Sequence, residues 1–449
     1  MSAPSRMISD LRSRLDSKTA LTVLVLLHSA LTCLSLIKVA TFQYYISFSV
    51  ERLWIAVIVA ASFSVVSLLF VVARFSFGYF VGFYFYTMIL GFLWIDVFSY
   101  YSYEQLPAGI SAALALVLFL LPVLFVRAPL RQPFVLSNAH FEHLLTLILA
   151  VSMITIAVAA TYNFRLVSVD HIYDYRESLE FPAAVRYLTG WVSSTLLPFA
   201  FACYWLLGHR WRAALVLILL LLFYPITLTK FAFFTPAWLI ALAVLSRLLE
   251  ARTAAIASIF VPMLVGLVVI VATGAAINSI PGRYFDIVNI RMIATASSAL
   301  DIYNNFFSSH PLTWFCQISV LKPLMHCPYE VQLSILMHDA YDLGKLNASL
   351  FATEGIASVG IYLAPLTALA SGFVLALGNR ASAGLPPRFI LMSAGVLPQT
   401  LLNVPLSVAL LTHGAALLFL LWYVVPRSVF AQERSADGGA PDRARPAKA

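Results

Sequence analysis

Two short stretches of this chain place a basic residue among aromatic neighbours, and each could bind an anionic group. Arg176 lies in YDYRESL and Lys230 in TLTKFAFF; a third stretch, RMIATASSALDIYNNFFSSHP, begins with Arg291. A guanidinium group can hold a phosphate through two parallel hydrogen bonds, and an ammonium group adds a compact point charge. Taken singly, a surface ion pair with Glu180 explains Arg176 more simply, and snorkelling toward the head groups explains Lys230 more simply.

The residues after Pro281–Gly282 have the spacing of an amphipathic helix. We expect its apolar side to rest on the membrane; that side comprises Phe285, Val288, Met292, Leu300, Tyr303 and Phe307. Polar residues recur on the other side at three-, four- or seven-residue spacing. They are Arg291, Ser298, Asp301 and Asn305. Asp301 and Asn305 are therefore expected to face the cavity that Arg291 enters.

Groups that could accept a proton follow in the same part of the chain. His310 precedes Pro311, where it is a candidate general base, although a capping or interfacial role explains it more simply. Glu354 is predicted about one turn inside a membrane-spanning segment. A carboxylate there is costly without a partner, so we expect an Arg or Lys from an outer loop beside it.

The elements that carry these groups are predicted to be membrane helices. The chain is 61% hydrophobic and 11% charged, with a mean hydropathy of +0.90, whereas soluble domains carry roughly 25% charged residues. The apolar runs are continuous rather than alternating, which favours helices over a β-barrel. The net charge of +8 comes from basic residues in short loops, a pattern typical of membrane topology and not of nucleic-acid binding.

We predict one all-α integral membrane domain, residues 1–449, with about twelve spans. The predicted spans are residues 19–40, 53–73, 76–98, 106–126, 143–161, 188–207, 213–229, 232–249, 254–276, 351–377, 389–405 and 407–425. The seventh and eighth could instead form one partly spanning hairpin, because Lys230 and Pro236 interrupt them. The first is expected to be a span and not a cleaved signal peptide.

The segments on the side that contains both termini hold about twice as many Lys and Arg residues as the segments on the other side. This asymmetry predicts that both termini are cytoplasmic. Two long loops, 162–187 and 277–350, are then outside and are expected to fold as interfacial helices. Cys316 and Cys327 in the second loop could form a disulfide, or equally be two free thiols. Residues 430–449 are predicted to be a disordered cytoplasmic tail.

Several classes of function lose support from the sequence. The chain has no DxD, P-loop, HExxH or GxSxG motif, which disfavours a metal-dependent nucleotide-sugar transferase, an NTPase, a zinc protease and a common serine hydrolase. Lys38, Asp96 and Glu354 are charged residues of the predicted spans, and all lie near outer ends. A coupled transporter usually needs such groups near the midplane.

The order of these motifs, with LNASLFATEGIASVG leading into the tenth predicted span, resembles the bacterial O-antigen polymerases or oligosaccharide repeat-unit polymerases (Wzy-like). That family is related to the O-antigen ligases. The resemblance covers roughly residues 160–378 and consists in the arrangement of degenerate motifs. It implies a membrane glycosyltransferase with a GT-C-like fold in the bacterial inner membrane.

The resemblance also implies the reaction. Two polyprenyl-pyrophosphate-linked oligosaccharides meet at the periplasmic face, a sugar hydroxyl of one attacks the anomeric carbon of the other, and polyprenyl pyrophosphate leaves. Inversion is expected, without a metal or other cofactor. A chain-length regulator is a further expected partner. The alternatives are an O-antigen ligase of the same fold and a flippase or other transporter.

Carried over to this chain, the resemblance assigns site residues. Arg176 and Arg291 match the family's outer-loop arginines, and Asn347 stands where related ligases have a histidine, which leaves the general base open. The expected catalytic residues are Arg176, Arg291, His310 and Glu354. The expected substrate-binding residues are Lys230, Arg283, Asp301, Tyr303, Asn305, Asn347 and Arg165.

Overall fold

The chain is a helical, multi-pass membrane protein. The computed structural model describes residues 17–168, 171–172, 175, 179–318, 321–343, 346 and 353–431. Within those residues every regular element is a helix, and the only β-type pairing is an isolated bridge between Ile46 and Ser99. The all-α prediction is therefore confirmed for the described part of the chain.

Sixteen helices are used as landmarks below. In chain order they are α1 (Lys18–Ala40), α2 (Val50–Val72), α3 (Phe77–Val97), α4 (Gln105–Phe125), α5 (Asn138–Tyr162), α6 (Ala183–Trp191, a π-helical turn Val192–Leu196, then Leu197–Leu206), α7 (Arg210–Thr227), α8 (Lys230–Leu248), α9 (Ala251–Thr273), α10 (Ile280–Phe285, a π-helical segment Asp286–Ala294, then Thr295–Phe307), α11 (Leu333–Tyr341), α12 (Thr353–Ser382), α13 (Pro387–Ser393), α14 (Leu397–Asn403), α15 (Leu406–Leu411) and α16 (Ala415–Val424).

Nine helices of the described part are long and apolar enough to cross a membrane: α1 to α5, α7 to α9, and α12. They correspond to nine of the twelve predicted spans, and α7 and α8 each qualify separately. The sixth predicted span, 188–207, falls in α6, whose π-helical turn divides it. The count of twelve spans stays a prediction.

Helix α3 is the centre of the bundle. All of its residues from Phe77 to Asp96 are buried, as expected for a helix that is apolar all round. Glycines let its neighbours approach: a Cβ at Gly78 would lie 2.6 Å from Cβ of Val123 in α4. Small residues have this packing role at helix contacts in membranes.

Helix α10 packs inside the bundle, against α3, instead of lying on the membrane surface. Tyr303 and Leu300 are fully buried, and so is Asp301 on the side predicted to be polar. Ser297 Oγ donates to the carbonyl of Met88 in α3 at 2.9 Å, and a Cβ at Gly91 would lie 2.3 Å from that hydroxyl. The expected interfacial position is wrong for this helix, because small residues on its second face let α3 cover it.

The last two predicted spans are broken into the short helices α13 to α16. Each break has a backbone group that a side chain satisfies. The indole N–H of Trp238 donates to Gly395 O at 2.8 Å, the Glu354 carboxylate accepts from Leu406 N at 3.1 Å, and Thr195 Oγ1 donates to His413 O at 2.8 Å. Irregular backbone at membrane depth is tolerated where protein or a polar cavity covers it.

Candidate functional site

A cavity of about 730 Å³ opens where the ends of several helices meet the middle of α10. Its walls come from α6, α7, α8, α10 and α14, with the breaks that flank α15. Every one of these wall segments belongs to the side that the Lys/Arg distribution predicts to be outside. Helices of the same end therefore converge on one polar space.

Among the described residues, three cationic side chains line this cavity: Arg186 in α6, Lys230 at the start of α8 and Arg291 in α10. The acidic residue among the described lining residues is Asp286, whose carboxylate lies 4.0 Å from Nε of Arg291. The Arg291 and Asp286 side chains are 49% and 34% exposed, so their ion pair contributes little to stability. The described lining therefore holds more basic than acidic side chains, which suits an anionic ligand.

The turn before α8 fixes the position of Lys230. Leu228 ends α7 in the left-handed conformation, with a φ of 47°, and Thr229 then caps α8 through its side chain. Lys230 is the first residue of α8. The positive end of that helix dipole adds to the charge of the ammonium group.

The π-helical segment of α10 fixes the position of Arg291. Two residues earlier, Asn289 is fully buried and donates from Nδ2 to Ser35 Oγ at 2.8 Å and to Met263 O at 3.0 Å. Residues two apart on a helix project in different directions. Anchoring Asn289 between α1 and α9 therefore turns Arg291 toward the cavity.

Much of the remaining lining is neutral and polar. Hydroxyl and amide groups of α6, α8, α10 and α14 can donate and accept hydrogen bonds, as sugar hydroxyls require. These groups include Thr189, Ser193, Ser194, Thr235, Thr295, Ser298, Gln399, Thr400 and Asn403. His413, at the break between α15 and α16, also lines the cavity.

Two of the predicted site residues, Lys230 and Arg291, lie together in this cavity as expected. Arg176 and Asn347 lie outside the described residues. The other seven predicted residues do not line it. For these seven, the expectation that they surround a common site with Arg291 is not met.

Asp301 lies in a buried cluster instead. Its carboxylate accepts from Ser99 Oγ at 2.8 Å, and the Tyr103 hydroxyl lies 2.5 Å from Asp301 Oδ1 and 2.8 Å from Asp96 Oδ1. The phenol has a single hydrogen, so one of the two carboxyl groups must carry a proton and donate to the phenol oxygen. Burial raises the pKa of Asp301 to about 6, while the hydrogen bonds from Tyr103 and Ser99 lower it.

Asn305, Tyr303 and His310 serve the packing of α10. Asn305 donates to Ser102 O at 3.2 Å and accepts from the Tyr341 hydroxyl at 2.6 Å. The hydroxyl of Tyr303 donates to Leu346 O at 3.3 Å. The ring of His310 stacks on that of Phe306, with a centroid distance of 3.9 Å.

The remaining predicted residues also have local contacts. Arg283 donates from Nε to Asn278 O at 3.1 Å, and the guanidinium of Arg165 lies 5.6 Å from the ring centre of Tyr175. Glu354 lines a second, mainly apolar cavity of about 570 Å³. In the described part of the chain its partner is the backbone N–H of Leu406, in place of the expected cation.

Sequence reasoning missed Arg186, Gln399, Asn403 and His413. Arg186 carried no signal beyond being one basic residue of a predicted outer loop. His413 did carry one, because it is an ionisable residue inside the predicted span 407–425 and is followed by a glycine. Such a residue is by default a candidate for function.

Comparison with known proteins identifies no relative. The chain matches no protein-family model, no curated protein and no solved structure.

Proposed function

We propose that this protein is an integral-membrane glycosyltransferase that polymerises polyprenyl-pyrophosphate-linked oligosaccharide repeat units into a surface polysaccharide. It acts at the periplasmic face of a bacterial inner membrane and releases polyprenyl pyrophosphate. The observation that carries the proposal is the convergence of Arg186, Lys230 and Arg291 on one cavity with hydroxyl- and amide-rich walls.

The cationic part of the cavity suits the leaving group. When the bond between the anomeric carbon and the pyrophosphate breaks, negative charge grows on the bridging oxygen. Guanidinium groups that are already in place stabilise this charge better than water does, because they need not reorganise during the reaction. Arg186 and Arg291 supply forked donors, and Lys230 supplies a point charge.

The neutral part of the cavity suits the sugars. Gln399 and Asn403 in α14, with the hydroxyls of α6, can orient an acceptor hydroxyl toward the donor. Holding two reactants in line is itself a large contribution to such a reaction, since it replaces a bimolecular encounter. In this proposal a chain-length regulator is a further partner, and the membrane holds the polyprenyl chains.

We also propose twelve spans in a GT-C-like arrangement with both termini in the cytoplasm. The three spans beyond the nine long helices are α6, the pair α13–α14 and the pair α15–α16. The disulfide between Cys316 and Cys327 supports an oxidising, outer location for the loop that contains it.

Deletion of the gene tests the proposal. The surface glycan of the deletion strain is separated on a gel, with and without a plasmid that restores the wild-type gene. A polymerase leaves single repeat units attached and removes the ladder of longer chains. Loss of all attached units would indicate a ligase, and an unchanged ladder would contradict the proposal.

A further inference from the structure

His413 is an imidazole in the cavity at a point where the last predicted span is broken. It directly precedes Gly414, which has a φ of +76° and begins the turn into α16. Its Nδ1 atom lies 3.3 Å from Ser194 Oγ in α6. Within the described residues Nε2 makes no hydrogen bond, so this nitrogen is available to a ligand in the cavity.

The break that carries His413 is fastened to α6 at several points. Thr195 Oγ1 donates to the carbonyl of His413 at 2.8 Å, and the Trp191 indole N–H donates to the carbonyl of Leu411. Gly190 permits the approach, since a Cβ there would lie 2.2 Å from Thr412 O. These contacts satisfy backbone groups that the break leaves free, and they also give the imidazole a defined position.

Helix α6 also holds the cation Arg186, at a distance from the imidazole of His413. Arg186 precedes Ser194 by eight residues, which corresponds to roughly 12 Å along a helix axis. The other charged groups of the cavity, among the residues that the structure describes, are Lys230, Arg291 and Asp286. A diphosphate held at Arg186 therefore leaves room along α6 for a sugar hydroxyl near His413.

We propose that His413 is the general base of the reaction; this inference rests on the proposed function. The acceptor hydroxyl oxygen forms a bond to the anomeric carbon as the bond to the pyrophosphate oxygen breaks. The pyrophosphate leaves with that electron pair, and the hydroxyl proton moves to Nε2 of His413. The imidazolium later gives this proton to water. Asp286 is the other group in the described lining that could accept a proton, but its carboxylate is next to Arg291, within the anion-binding part.

The experiment uses the full chain in nanodiscs and, as substrate, the lipid-linked oligosaccharide that accumulates in the deletion strain. Initial rates of chain extension are measured across pH for wild type and for His413→Gln. The expected result is a rate loss of about 100-fold or more with a similar KM, because a positioned base typically contributes 10²–10⁴-fold. In wild type the rate falls at low pH as the imidazole takes up a proton, and this fall is absent from the residual rate of the variant.

Two further variants serve as controls for His413→Gln. His209→Gln changes an exposed histidine in the turn between α6 and α7, and it is expected to keep the wild-type rate and pH profile. Ser194→Ala removes the partner of Nδ1 without touching the base, and it is expected to shift the low-pH fall while His413→Gln removes it. The Ser194 variant keeps the imidazole, so it reports on the proposal even if His413→Gln folds poorly.

Three results would overturn the proposal. One is a His413→Gln rate within about threefold of wild type, which is too small an effect for a lost base. Another is a low-pH fall that survives in His413→Gln or that disappears in Asp286→Asn instead. Failure of the wild-type protein to extend the lipid-linked oligosaccharide would overturn the proposed function as well, and the wild-type reaction alone distinguishes that case.

Discussion

Two regions of α10 carry polar side chains in opposite settings. Near its middle, Arg291 is half exposed in a polar cavity beside Asp286. Three turns later, Asp301 is fully buried and hydrogen bonded to Ser99 and Tyr103. The first side chain lines a cavity, whereas the second is enclosed by the fold. Residue type alone does not separate a binding group from a structural group; its surroundings do.

Loss of the Arg291 guanidinium should have the largest effect on activity. Arg291→Ala is expected to abolish the glycan ladder and to lower the rate of chain extension by at least about 100-fold, as for other preorganised charge-stabilising groups. Protein level and melting temperature should stay close to wild type, because the side chain is half exposed. Gel analysis and thermal melting in detergent measure the two effects; a normal ladder would remove Arg291 from the site.

Lys230 should matter less, since it contributes a point charge and not a fork. Lys230→Ala is expected to reduce the rate by about tenfold, and Lys230→Gln by a similar factor, whereas Lys230→Arg should retain most activity. Initial rates with the lipid-linked oligosaccharide give the comparison. Equal rates in wild type and Lys230→Ala would show that the cavity does not use this charge.

Loss of the Asp301 carboxylate should have the opposite effects to loss of the Arg291 guanidinium: it should lower stability and leave activity unchanged. Asp301→Ala leaves the buried Ser99 hydroxyl without its acceptor and removes one of the two carboxyl groups beside the Tyr103 hydroxyl, which costs about 2 kcal/mol of stability. We expect a lower melting temperature and a lower protein level, with normal activity per folded molecule. Asp301→Asn is the matched control, because it retains an acceptor and about the same volume. A rate loss in folded Asp301→Asn protein would move Asp301 into the functional site.

The buried cluster also predicts a pH dependence of stability. The folded-state pKa of Asp301 is about 6, above its ordinary value of 3.8, so the folded protein binds this proton more tightly than the unfolded chain. The stability that Asp301 contributes through this tighter proton binding is complete below about pH 4, and it is lost as the pH rises through about 6. Melting temperatures across this window should fall with pH in wild type and change less in Asp301→Asn. A parallel slope in both proteins would contradict this pKa.

The smallest effect is expected at His310. Its ring stacks on Phe306, and its Nδ1 lies 2.8 Å from the carbonyl of that residue, outside the cavity. His310→Ala should therefore leave the rate and the low-pH fall unchanged and lower the melting temperature slightly. Loss of the low-pH fall in this variant would bring His310 back as the base.

The sequence predicted the helical class, nine of the long helices and the pairing of Lys230 with Arg291 in one site. Periodicity also predicted a helix after Pro281–Gly282, but it shows only which face is apolar, not how many neighbours cover the other face. The partners that bury Asp301 are about two hundred positions away along the chain. Such contacts cannot be inferred from local spacing.

The breaks in the last two predicted spans were not foreseen for a related reason. Gly395 and Gly414 are each compatible with a continuous membrane helix, because neighbouring helices can satisfy the freed backbone groups. Whether a helix continues or stops at these two points therefore depended on Trp238 and Thr195, which lie on other elements. His413 was missed because its position follows from one of these breaks.

Side chains of other helices hold the short helices α13 to α16 in place. This arrangement affects how the protein could acquire new substrates. Helix α14 and the breaks that flank α15 form one wall of the cavity, and neither of these short helices is part of a long helix whose continuity must be maintained. The side chains of this wall that face the cavity, such as Gln399, Thr400 and Asn403, could therefore change while the buried side chains of α14 keep their packing and His413 keeps its position. In a set of variants selected to join different sugars, we would look for accepted changes in this wall first.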